Sequence, residues 1–129
     1  MLKTRIITAL NAVTATTTSN KFYVGGARRI GLLVRRADHV AGSTAFTVKG
    51  SMETPETVTP TMTALNIMID NVTNSNVQTL TRIATKTLSA NGDAFLWFDP
   101  FFFINFLEIT ATETTDGTHS AFIVFEEEA

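Results

Sequence analysis

The sequence has 129 residues, of which 23 are Thr and none Cys, and its formal net charge is −2. A chain of this length suits one domain that buries roughly two-thirds of its unfolded surface, and so much Thr favours strands, because β-branched side chains fit a pleated surface. Without Cys there are no disulfides, thiolate metal sites or Cys nucleophiles, and the redox compartment stays open.

The small net charge conceals a split. Residues 1–50 hold eight Lys/Arg against Asp38 alone, whereas residues 51–129 hold Arg82 and Lys86 against eleven acids. Either strands from the two halves interleave in one sheet and the charges neutralise locally, or the subunit is dipolar and meets a neighbour patch to patch. Nucleic-acid binding is a poor third, because no basic-aromatic motif accompanies the arginines.

In chain order, residues 2–10 read as a first strand or, with the Thr/Ala/Ser/Asn run up to residue 20, as an extended N-terminal arm. Phe22–Val24, Gly25-Gly26 and Arg29–Arg36 read as a hairpin turned on the glycine pair. In its second strand Ile30, Leu32 and Val34 share one face. Arg28, Arg29, Arg35 and Arg36 bracket that strand and suggest an exposed strand end or an interface rim. Asp38–Ser43 is a turn, and Thr44–Gly50 alternates with Phe46 and Val48 inward. A loop set by Pro55 and Pro60 follows. Thr63–Ile69 alternates again, Asp70–Asn76 is turn-forming, and Val77–Leu88 is assigned as a strand because Thr loses rotamer freedom in a helix interior. Asn91-Gly92 is the best two-residue hairpin turn.

Seven of the twelve aromatic residues lie between Phe95 and Phe106, so the core is expected to form around this segment, Trp97 included. Asp99-Pro100 interrupts it. Asp116-Gly117 then turns the chain between Ile104–Thr112 and His119–Glu126. Eight or nine short strands without a convincing helix mean an all-β, antiparallel sandwich or barrel. Two strands break the usual alternation: Phe101–Leu107 is apolar on both faces apart from Asn105, and Ala121–Phe125 throughout. Their second face either receives cover from a loop or packs on another chain, and we favour the second. This makes Phe101, Phe102, Phe103, Phe106, Phe122 and Val124 candidate interface residues. Glu126, Glu127 and Glu128 read as a solvated tail able to pair with arginines next door.

No reaction chemistry is legible. Asp38 and His39 are adjacent, so on an extended chain they point apart. Asp116, His119 and Ser120 have the composition of a triad but cluster at a turn, where solvated polar residues are the ordinary reading. No metal-ligand spacing and no phosphate-binding glycine loop are present. No segment has signal-peptide length, and Phe101–Leu107 is too short to span a bilayer.

Two segments carry a resemblance. Thr44–Glu53 is a strand ending in Gly-Ser-hydrophobic-acid before a loop, and Asp99–Thr110, with the Thr/Gly turn and apolar strand after it, is similar to a closing hairpin. Together they resemble the small jelly-roll proteins of tailed-phage virions, the capsid decoration or cement proteins. Pro55 departs from that pattern, which places a Trp in the turn after Gly-Ser. The resemblance implies a single jelly-roll sandwich over residues 1–129, a homotrimer, attachment to the major capsid protein at the capsid surface, and no catalysis. The expectation is therefore a non-enzymatic virion subunit without cofactor, metal, small-molecule substrate, nucleic acid or membrane partner. The alternative is a carbohydrate-binding or receptor-adhesion sandwich of a virion tail or fibre, with Trp97 as its stacking platform.

Overall fold

The structure is a computed structural model; it describes residues 1–74, 77–98 and 104–128, without the side chains of 69–81. Twelve strands are found there, more than the eight or nine expected: β1 (Leu2–Val13), β2 (Thr17–Thr18), β3 (Phe22–Tyr23), β4 (Ala27–Ala37), β5 (Gly42–Ser51), β6 (Thr63–Leu65), β7 (Ile67–Asn74), β8 (Val77–Ile83), β9 (Lys86–Leu88), β10 (Gly92–Trp97), β11 (Phe106–Thr115) and β12 (Thr118–Glu128). They form two antiparallel sheets. The first runs β1-β12-β4-β10-β7-β8, and the second runs β2-β11-β5-β6, with β3 also on β11 and β9 also on β5.

The surplus strands are mostly fragments. β2 and β3 pair successive stretches of β11 and act as one interrupted strand. β6 pairs Val48–Gly50 and β9 pairs Thr44–Phe46 of β5, so they too form one strand, broken where the β7–β8 pair leaves for the first sheet. Counting each broken strand once and setting that excursion aside leaves eight principal strands, four to a sheet. The chain crosses between sheets at nearly every connection. That connectivity is a jelly roll.

Alternation explains the core. On β4 and β12, Leu32, Val34, Ala121 and Ile123 point inward; on β5 and β11, Phe46, Val48, Leu107 and Ile109 face them, all eight buried. Each large apolar side chain in this layer contributes roughly 1.5–3 kcal/mol. The expectation for Phe46 and Val48 holds, and so does a strand for Val77–Leu88, although it divides into β8 and β9 in different sheets. The 1–20 segment is no free arm, since β1 pairs with β12 from Leu2↔Glu128 onward.

Three expected hairpins are corrected. Gly25-Gly26, Asn91-Gly92 and Asp116-Gly117 are turns, yet each sends the chain to the opposite sheet: β3 to β4, β9 to β10, and β11 to β12. Turn chemistry sets how sharply the chain reverses, but burial decides which sheet receives it. At the first, Gly26 has φ +82° and Val24 is buried. The expected Thr63–Ile69 strand crosses at Asn66 in the same way, with Leu65 and Ile67 pointing inward from opposite sheets. Asp70–Asn74 extends β7 instead of turning. The expected break at Asp99-Pro100 lies outside the described residues.

The aromatic segment also departs from expectation. On β10, Leu96 and then Phe98 are buried, while Phe95 and Trp97 stand on the outer face, 65% and 42% exposed. A run of large rings still obeys the pleat, and every second ring must leave the core.

Candidate interaction face

Strand pairing assembles one row of side chains across the outside of the first sheet. Ile6 lies opposite Val124, Val124 opposite Gly31, Gly31 opposite Trp97, and Trp97 opposite Met68. The neighbouring row is Thr8, Phe122, Leu33 and Phe95. Ile6 is 66% exposed, and Val124, Phe122, Leu33 and Met68 are half-buried. The result is a contiguous apolar patch at the middle of the sheet. At its centre Gly31 contributes no side chain, which leaves a dent of about 260 Å³ walled by Phe95, Trp97, Val124, Arg29 and Glu126. A Cβ at Gly31 would meet only the Leu96 carbonyl oxygen, at 3.5 Å.

Ion pairs edge this patch. Arg29 donates from Nε and Nη2 to the Glu126 carboxylate at 2.7–3.1 Å. Arg35 donates to both oxygens of Asp93 at 2.8 and 3.1 Å, and that two-point hydrogen bond holds the Asp93 carboxyl below the usual carboxylate range. The Arg35 guanidinium also lies 5.7 Å from the Phe122 ring centre. Arg28 reaches Glu128 at 3.7 Å and Arg5 reaches Glu127 at 3.1 Å. Glu126–Glu128 therefore close β12 and bind arginines of their own chain; the expected solvated tail is corrected. β12 lies between β1 and β4, so the charged halves of the sequence interleave and neutralise.

Arg36 does not belong to this rim. It shares the inward parity of Leu32 and Val34, and is 1% exposed. Its Nη1 donates to Thr44 Oγ1 at 2.6 Å, its Nη2 to the Ala41 carbonyl at 2.9 Å and its Nε to His39 Nδ1 at 3.2 Å. Asp116 Oδ1 stands 3.6 Å away. That carboxyl is held below its ordinary range, first by the Ala41 N–H, then by the Val40 N–H and the Arg36 charge. Gly117 covers the guanidinium so closely that an added Cβ would fall 2.5 Å from Nη1. The knot ties the 38–42 turn, β5 and the 116–117 turn together at one end of the sandwich.

The triad-like composition dissolves here. Ser120 Oγ accepts the Ala12 N–H, Asp116 accepts from Val40 and Ala41, and His119 Nε2 donates to the Ala15 carbonyl at 2.9 Å. His119 is fully buried rather than solvated, and its Nδ1 has no partner among the described residues. Ser120, His119 and Asp116 thus bond backbone groups and not one another. Among the described residues no group of three or more His, Cys, Asp and Glu could hold a metal ion.

Of the expected interface residues, Phe122, Val124, Arg29 and Arg35 lie on or beside the patch, and Glu126 lines the dent. Phe106 has its ring 5.5 Å from that of Tyr23, edge to face, which supplies the second-face cover from within the chain. Phe101, Phe102 and Phe103 lie outside the described residues. Sequence reading missed Ile6, Leu33, Phe95 and Gly31. A glycine inside an apolar strand is itself a signal for close approach, and Gly31 carried it.

No protein-family model matches this chain, and no curated protein does. Solved structures do. The chain is similar to the SPBc2 prophage-derived protein YomS, with TM-score 0.61 and 15% identity over 98% of this chain and 96% of that one. It shares that fold. A structure of infectious bursal disease virus, Gx strain, aligns with TM-score 0.48 and 15% identity over 98% of this chain and 33% of that one.

Proposed function

We propose that this chain is a non-enzymatic structural subunit of a virion, which self-associates and attaches to the major capsid protein to decorate or reinforce the capsid surface. The observation that carries this reading is the apolar patch on the outer face of the first sheet. A jelly roll already buries its core between its two sheets, so a further contiguous apolar face serves contact with another molecule. The virion-protein resemblance of Thr44–Glu53 supports the assignment, and so does the fold shared with prophage-derived YomS. The test is co-sedimentation with capsids purified from the virus that encodes the chain. Saturable binding, reduced at least tenfold by Trp97→Asp, is expected; no binding at micromolar concentration overturns the reading.

A second reading has an observation of its own. Phe95 and Trp97 stand exposed, two residues apart on one face of β10, where flat rings can stack on sugars. Binding on a glycan array, lost in Trp97→Ala, would favour a carbohydrate-binding or adhesion module.

A further inference from the structure

We propose that the occupant of the outer face of the first sheet is a second copy of this chain, with Phe95 of each copy seated in the dent over Gly31 of the other. The inference rests on the reading that the subunit self-associates, and adds the surface and the symmetry. Gly31 is opposite Trp97, and Leu33 is opposite Phe95; Phe95 and Gly31 are therefore diagonal neighbours, about 7–8 Å apart along the sheet. One patch thus carries both a protruding ring and a hollow beside it. A two-fold axis lying between them puts each ring on the partner's hollow, which is how a self-complementary contact closes. The size fits as well. A cavity of about 150 Å³ accepts benzene, and the dent measures about 260 Å³.

Charge points the same way. Arg29 is paired with Glu126 and Arg35 with Asp93, so the charges beside Phe95 and the dent cancel in pairs and do not set two identical faces against each other. A sugar would need free polar groups aimed into the dent, but Arg29 and Glu126 bond each other, and Thr4 is the one hydroxyl among the lining residues. The exposed parts of Ile6, Phe95 and Trp97, with the half-buried Phe122 and Val124, make an apolar patch on the order of 400 Å². Surrounded by its polar rim, that is the core of a small standard interface. Association through this face gives two copies, not the three that the virion-protein resemblance implies.

The experiment is sedimentation equilibrium of the full chain from about 1 to 100 μM, read alongside the emission of Trp97, the only Trp in the sequence. A dimer is expected, with emission moving to the red as dilution exposes the dent wall. Gly31→Val reaches into the hollow from a Cβ that makes ordinary contact with the Leu96 carbonyl oxygen, and replaces glycine in a strand with a β-branched residue. It should raise the thermal midpoint yet weaken dimerisation at least tenfold. Phe95→Ser should weaken dimerisation similarly with circular dichroism unchanged. A wild-type monomer throughout, or a Gly31→Val dimer of unaltered affinity, overturns the proposal. So does a trimer that Gly31→Val leaves intact. If the monomer's Trp97 emission is quenched by a glycan, or the monomer loses capsid binding in Gly31→Val, the face belongs to that partner instead. A dimer that ignores capsids sinks the virion reading and leaves this one standing.

Discussion

Arg36 is tolerated inside the end of the sandwich because its fork reaches Thr44, Ala41 and His39 together, with Asp116 alongside. Replacing it by Met keeps the length and the apolar contact but strands those acceptors. Arg36→Met should cost about 1–3 kcal/mol for each acceptor left buried and unpaired, read as a lower urea midpoint with the β spectrum retained at low denaturant. Arg36→Lys should not restore it, since a single ammonium cannot reproduce the planar fork. The carboxylates give a pH dependence of definite sign. Asp93 and Asp116 titrate below their ordinary values in the folded chain. The stability they contribute is therefore present above the unfolded carboxylate pKa of about 3.9 and is lost as pH falls through the lower folded values. Thermal midpoints measured between pH 7 and pH 2 should fall below pH 4, and the double variant Asp93→Asn, Asp116→Asn should make that fall smaller. Sequence reading placed Arg36 at a rim, because a cationic residue on an inward position looks identical to one at a strand end until its acceptors His39, Ala41 and Thr44, and the Asp116 carboxylate 80 residues along the chain, are seen around it.

Strands were legible to the extent that their alternation was. β5 and β4 carry it clearly, and parity alone grouped Phe46 with Val48 and Leu32 with Val34 correctly, Arg36 being the inward residue it missed. Sheet membership was not legible, since alternation keeps Leu65 and Ile67 inward whether the chain runs straight on or crosses to the facing sheet. The double-faced strand β12 shows both sides of this. Its parity correctly separates Ala121, Ile123 and Phe125 from Phe122 and Val124, but only the paired neighbours reveal that the second set faces Ile6, Leu33 and Gly31. Two substitutions one residue apart should therefore behave oppositely. Ile123→Asp puts an unpaired charge in the core and should unfold the subunit, at more than about 4 kcal/mol. Val124→Asp should cost folding only about 1 kcal/mol while abolishing self-association, as separated by circular dichroism and sedimentation on the same samples. Equal unfolding by both would mean that the outer face is already part of the core.

Across the molecule, the six ion pairs among the described residues each join a cation from the first half to an acid between Asp93 and Glu128. The sequence expectation of rim charges reaching a neighbour implied attachment weakened by salt. With those charges satisfied inside one chain, the interface we propose is apolar, and about 0.5 M NaCl should leave the self-association constant within threefold while screening exposed pairs worth about 0–1 kcal/mol each. A tenfold loss of association in salt would restore the ionic picture. The same pairing pattern bears on how the first sheet closes. β12 sits between β1 and β4, so the first sheet has a vacant slot until that strand docks. Until then, the facing edges of β1 and β4 are unpaired backbone. In that state the open slot is shaped to take β12 from a neighbouring molecule. Strand exchange is thus the characteristic error of this topology.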